Sequence, residues 1–144
     1  MKSICFFLIL LPILSHNLYG QSTTKCSMAS LLEVSKHVGR VTHEEMVNFL
    51  VTFDPECRNN VEYFEWSNEL LFELLEKQTE LTARTIANQA KRIDLTTIFE
   101  NLEDPILDRF NIKTIIGKVE KINFNQEIKK EIIDRLKKAD GKMN

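Results

Sequence analysis

The stretch EYFEWSNELLFELLE, Glu62–Glu76, decides how the chain is read. Drawn as a helix at about 100° per residue, its apolar residues Tyr63, Phe64, Leu70, Leu71, Phe72, Leu74 and Leu75, with Val61 just before them, cover an arc of roughly 200°. A face that wide must be covered on most sides, which makes this the expected central helix of an all-helical core. The remaining strip is filled by Glu62, Glu65, Glu69, Glu73 and Glu76, all within an arc of roughly 80°. The chain's one tryptophan, Trp66, stands at the edge of that strip, between Glu73 and Leu70.

Working outward, glycine (4) and proline (3) are scarce in 144 residues, and apolar residues recur at three- and four-residue spacings. Ser27–Val38 reads as a first helix, stopped near Gly39. Thr42-His43-Glu44-Glu45 is a capping box and opens a second helix with Met46, Val47, Phe49 and Leu50 inward. Asp54-Pro55 supplies a cap and a first-turn proline for a segment that runs on to about Lys77, with a kink expected near Asn59-Asn60. Thr79 is the expected cap of a helix through Lys91, and Asp94 of a short one through Leu102. Asp104-Pro105 restarts the chain, and Ile112–Ile122 and Asn125–Ala139 finish it. The expected fold is all-α: a single domain of about seven or eight short helices, packed as an orthogonal or solenoid-like, HEAT-like bundle.

The start of the chain has a different character. Lys2, the apolar run Ile4–Leu14 interrupted by Pro12, and the polar exit Ser15–Gly20 have the anatomy of a secretory signal peptide. The run is too short for a membrane span, which takes about 20 apolar residues, so no stable membrane anchor is expected. Cleavage after Gly20 resembles the junctions of many exported proteins of Gram-negative bacteria, whereas cleavage after Ser22 would give a small-x-small pattern. The first choice assigns 1–20 to the signal peptide and 21–144 to the single helical domain, exported to a periplasm or the exterior. Cys5 leaves with the signal, and the two remaining cysteines, Cys26 and Cys57, are expected to form one disulfide in an oxidising compartment.

Charge is divided unevenly. Residues 21–110 carry 9 Lys+Arg against 16 Asp+Glu, and residues 111–144 carry 9 against 5. The basic end does not read as a nucleic-acid surface, because Lys129, Lys130, Arg135, Lys137 and Lys138 alternate with Glu127, Glu131 and Asp134 around an ordinary buried stripe of isoleucines and Leu136. No catalytic or cofactor-binding residue is identified. The glycines do not cluster into a phosphate loop, no Gly-x-Ser-x-Gly elbow occurs, and a row of glutamates on one strip offers neither a cleft nor a raised pKa. Beside two glutamates, His43 reads as a local ion partner. No metal site is expected either. Glu33 and His37 share a helical face, but two ligands do not make a site, and no His-Glu-x-x-His or calcium loop is present.

What remains is binding. Like charges four residues apart, Glu65–Glu69 and Glu69–Glu73, oppose the helix by about 0.2–0.5 kcal/mol each, and no lysine lies among them. A rim of carboxylates beside an aromatic anchor suits a protein with a basic surface, so Glu62, Glu65, Trp66, Glu69, Glu73 and Glu76 are the candidate partner-binding residues. The chain then acts as an inhibitor, an immunity-type protein or an accessory subunit. A bundle rich in phenylalanine that carries an apolar ligand, and an enzyme without a local motif, are the alternatives.

Overall fold

Helices begin in this chain where a short polar side chain can hold a free N–H of the first turn. The computed structural model describes residues 25–143, so the signal peptide and its cleavage point lie outside the described residues. Ser27 Oγ accepts from Ser30 N at 3.2 Å and opens α1 (Met28–Ser35). Thr42 and Glu45 form the reciprocal capping box of α2 (His43–Leu50). Asp54 caps a 3-10 helix, Pro55–Asn59, and Asn60 then caps α3 (Val61–Lys77) through Tyr63 N. The expected kink is therefore a full break, with Asn60 ending one element and starting the next.

Asp94 caps α5 (Leu95–Glu103), Asn111 caps α6 (Ile112–Lys121), and Asn125 accepts from Ile128 N at the start of α7 (Gln126–Met143). The exception is α4 (Thr79–Asn88). Thr79 is its first residue and not its cap, because the hydroxyl donates back to Leu75 O at 2.6 Å and closes the end of α3 instead. Nor does Asp104-Pro105 restart a helix. Residues 104–111 form an irregular connection between α5 and α6. The first helix also ends earlier than expected, at Ser35, and a separate 3-10 turn, Val38–Arg40, follows it.

Seven α-helices and two 3-10 helices result, with no strand among the described residues. Helix α3 is central, packing against α1, α4, α5 and α6, while α7 closes the far side against α4, α5 and α6. One contiguous core runs from Leu31 and Val34 of α1 through Leu70–Leu75 of α3 to Ile132 and Leu136 of α7. The phenylalanines help to fill it: Phe49 meets Phe53 edge-on at 5.2 Å, and Phe72 stacks on Phe110 at 5.3 Å. Tyr63 is buried with its hydroxyl 2.6 Å from Thr52 Oγ1, and desolvation pushes its pKa up to about 12.

Cys26 and Cys57 are joined, with Cα atoms 5.4 Å apart, and tie the chain two residues before α1 to the 3-10 helix that precedes α3. The same junction is reinforced by Cys26 N donating to Thr52 O at 3.0 Å and by Lys25 pairing with Asp54 at 2.7 Å. The Lys25 ammonium, together with the Glu56 N–H, holds the Asp54 carboxyl below its ordinary pKa.

Candidate functional site

A buried asparagine sets the geometry around the acidic face of α3. Asn68 lies on the inner side of the helix, fully buried, and its amide works in both directions. Nδ2 donates to Asn101 O, Asn101 Oδ1 and Asp104 O at 3.0, 3.3 and 3.2 Å, and Oδ1 accepts from Ile106 N at 3.0 Å. These bonds fasten the end of α5 and the irregular 104–111 connection to the flank of α3. The connection then delivers Arg109 onto the acidic strip.

There Arg109 bridges Glu69 and Glu73, the latter at 2.6 Å, while Phe110 enters the core beneath with its ring 5.1 Å from the guanidinium. The strip is therefore not uniformly unrelieved. The like-charge pair Glu69–Glu73 is neutralised by a residue 36 positions further on, and Lys77 adds a second cation 3.7 Å from Glu73. No local pattern in the sequence announces Arg109. It is a lone arginine in a loop, and its role depends on where Asn68 holds that loop.

The six candidate residues consequently separate. Val61, Glu62, Glu65, Trp66 and Glu69 line one shallow open groove of about 560 Å³ over the first turns of α3. Val61 is 62% exposed, while Trp66 is half-buried, with part of its ring against the core and part in the groove. Among the described residues, no Lys, Arg or His side chain pairs with Glu62 or Glu65. Glu76, by contrast, lies three turns along and borders a different depression of about 910 Å³, together with His43, Lys77, Arg84, Lys118 and Lys121. That second surface is of mixed sign, and Lys118 Nζ is already engaged with Glu76 O at 2.6 Å.

Part of the basic C-terminal end finds its partners within the molecule. Arg135 on α7 pairs with Glu103 and Glu131, each at 2.6 Å, Lys138 also reaches Glu103, and Lys142 reaches Asp104. The Arg135 and Lys138 cations hold the Glu103 carboxyl below its ordinary pKa. Three of the nine cations of residues 111–144, Arg135, Lys138 and Lys142, thus serve to dock α7 onto the end of α5.

His43 does not pair with its neighbouring glutamates. Its Nδ1 lies 3.3 Å from Thr85 Oγ1 on α4, and it is His37 that meets Glu45, with Nε2 3.0 Å from Oε1. No helix among the described residues is long and apolar enough to cross a membrane. No protein-family model, curated protein or solved structure matches the chain.

Proposed function

We propose that this chain is an exported helical protein that acts by binding a basic protein through the groove on the first turns of α3. The disulfide suits an oxidising compartment, in keeping with the signal-like start of the chain. One observation carries the reading: Trp66 lines an open groove beside exposed Val61, with Glu62 and Glu65 unrelieved by any cation among the described residues. An apolar floor with an anionic rim fits a Lys- or Arg-bearing segment that also offers an apolar side chain. The ring and the valine then supply contact area, and the carboxylates supply steering. An inhibitor, an immunity-type protein or an accessory subunit would each use such a face.

The carrier alternative is weaker, because Phe49, Phe53, Phe72 and Phe110 are buried and packed against one another in pairs. The test is affinity capture with the oxidised mature chain, run in parallel with Trp66→Ala and with Glu62→Lys/Glu65→Lys. A genuine partner is basic, shifts the Trp66 emission on binding, and is lost from both variants. It is retained by Glu120→Lys/Glu127→Lys, which reverses two exposed glutamates elsewhere. A partner held equally by all four proteins refutes the assignment of the site.

A further inference from the structure

The end of α1 and the start of α2 bring together three ligating side chains that the sequence keeps apart. Glu33 and His37 project from the last turn of α1 and the residues just after it, four positions apart. Glu45 comes from the first turn of α2. One ligand atom from each, two carboxylate oxygens and one imidazole nitrogen, lies within 4.8 Å of the others. We propose that these three side chains form a Zn²⁺ site that clips α1 to α2 across the 3-10 turn Val38–Arg40.

The donor chemistry favours that ion. Zinc takes imidazole nitrogen and carboxylate oxygen at about 2.0–2.2 Å, so two ligands of a tetrahedral ion stand roughly 3.3 Å apart. His37 Nε2 and Glu45 Oε1 are already 3.0 Å apart, and rotation of the Glu33 side chain closes the rest. Glu33 is free to rotate at little cost. Its side chain is 52% exposed, and what it gives up is a surface pair with Lys36, an interaction that contributes little to stability.

Glu45, in contrast, is held in place. Its Oε2 accepts from Thr42 N at 2.7 Å and from Thr42 Oγ1 at 2.8 Å, which leaves Oε1 directed at His37. A ligating carboxylate whose second oxygen is fixed by hydrogen bonds has the outer-shell support that zinc sites use. The capping box thus has a second use, as the rigid half of a metal site. His37 and Glu45 are only about a quarter exposed, so the ion would be shielded on the protein side, while three protein ligands leave a fourth position open to water or to a partner's side chain. Two carboxylates balance the dication, so the site is neutral when filled.

The experiment is equilibrium dialysis and titration calorimetry of ZnCl₂ into the tag-free, oxidised mature chain, followed by Co²⁺ substitution to read the coordination from its visible spectrum. One Zn²⁺ per chain is expected, with a tetrahedral or five-coordinate Co²⁺ spectrum. His37→Ala should weaken binding by more than the roughly 10–100-fold that loss of a supporting group costs, and Glu33→Gln should weaken it with the fold intact by circular dichroism. His43→Ala, the other histidine among the described residues, should bind as wild type. Failure of the wild-type chain to take up one equivalent overturns the site, as does uptake unchanged in His37→Ala and Glu33→Gln or dependent on His43.

Discussion

Replacing Asn68 with alanine tests the link between the core and the acidic face. The side chain makes three donor contacts and one acceptor contact, all to residues of α5 or of the connection after it. Of the abandoned groups, Asn101 Oδ1 belongs to a buried residue, Asn101 O keeps the Asp104 N–H at 3.4 Å, and Asp104 and Ile106 are exposed residues whose backbone can be rehydrated in part. At about 1 kcal/mol net per hydrogen bond, and more for a group left buried without a partner, the loss comes to about 3 kcal/mol. For a domain of this size that lowers Tm by roughly 10–15 °C. Urea unfolding at neutral pH gives the free energy, and amide exchange locates it. Ile106 N–H should exchange faster in the variant than the global loss of stability accounts for. Asn68→Asp keeps the acceptor for Ile106 but aims a carboxylate at three carbonyl oxygens. It should be at least as damaging at neutral pH and recover part of the loss as the pH falls and the buried carboxyl, whose folded pKa is raised, takes up its proton. A loss below about 1 kcal/mol in Asn68→Ala, with Ile106 exchange unchanged, would refute the claim that this amide holds the connection.

Removing the disulfide as Cys26→Ala/Cys57→Ala opens a loop of 31 residues and should cost about 4 kcal/mol by loop-closure entropy. A urea midpoint that barely moves would show that the Lys25–Asp54 pair and the Cys26–Thr52 backbone bond hold the junction unaided. Glu103 has a depressed folded pKa, so its stabilisation is present above the ordinary carboxylate value of 4.5 and is lost as pH falls through the lower folded value. Glu103→Gln should therefore be less stable than wild type at neutral pH and converge on it in acid, read as unfolding midpoints across that range. At the groove, Glu62→Lys/Glu65→Lys should chiefly slow partner association and reverse its salt dependence, while Trp66→Ala should chiefly speed dissociation; stopped-flow mixing separates the two.

The elements legible in the sequence are those whose cause is local. Thr42 and Asp94 cap the helices expected of them, because a cap is decided within three residues, whereas Asp54 caps only the 3-10 helix and Asn60 opens α3. The breadth of the apolar arc on Glu62–Glu76 likewise identified the central helix, since burial on most sides requires it. Thr79 misled because the same hydroxyl can close the preceding helix or cap the next one, and only the direction of the chain at Gln78 decides between them. The acidic strip was legible as a strip but not as two surfaces with an internal counter-ion. Arg109 is 40 positions from Glu69, and it arrives there through Asn68, a polar residue turned inward on a largely apolar face. Glu45 was legible as a capping residue, yet its approach to His37 depends on the turn between α1 and α2, which no spacing rule specifies.

The division of the acidic strip bears on how the face can work. Glu69 and Glu73 are occupied in fastening the connection that carries Arg109, and Glu76 borders the other depression, so Glu62 and Glu65 are the carboxylates of the strip that face the groove without a cation of their own. Two exposed carboxylates are screened within a Debye length of about 8 Å at physiological salt and add little net affinity, because a surface ion pair loses in side-chain order much of what it gains in attraction. The affinity of a complex at this site must then come from area removed from water. Trp66 and Val61 are the apolar groups there, and Trp66 is already half-immobilised against the core, so it surrenders little rotamer freedom on binding. The proposed binding would then draw its energy from the ring and leave the glutamates to bring the partner in and to orient it. On the proposed reading, a helix with five glutamates and one tryptophan needs only two of the five for a partner, because the fold assigns Glu69 and Glu73 to hold Arg109 and leaves Glu76 on another surface.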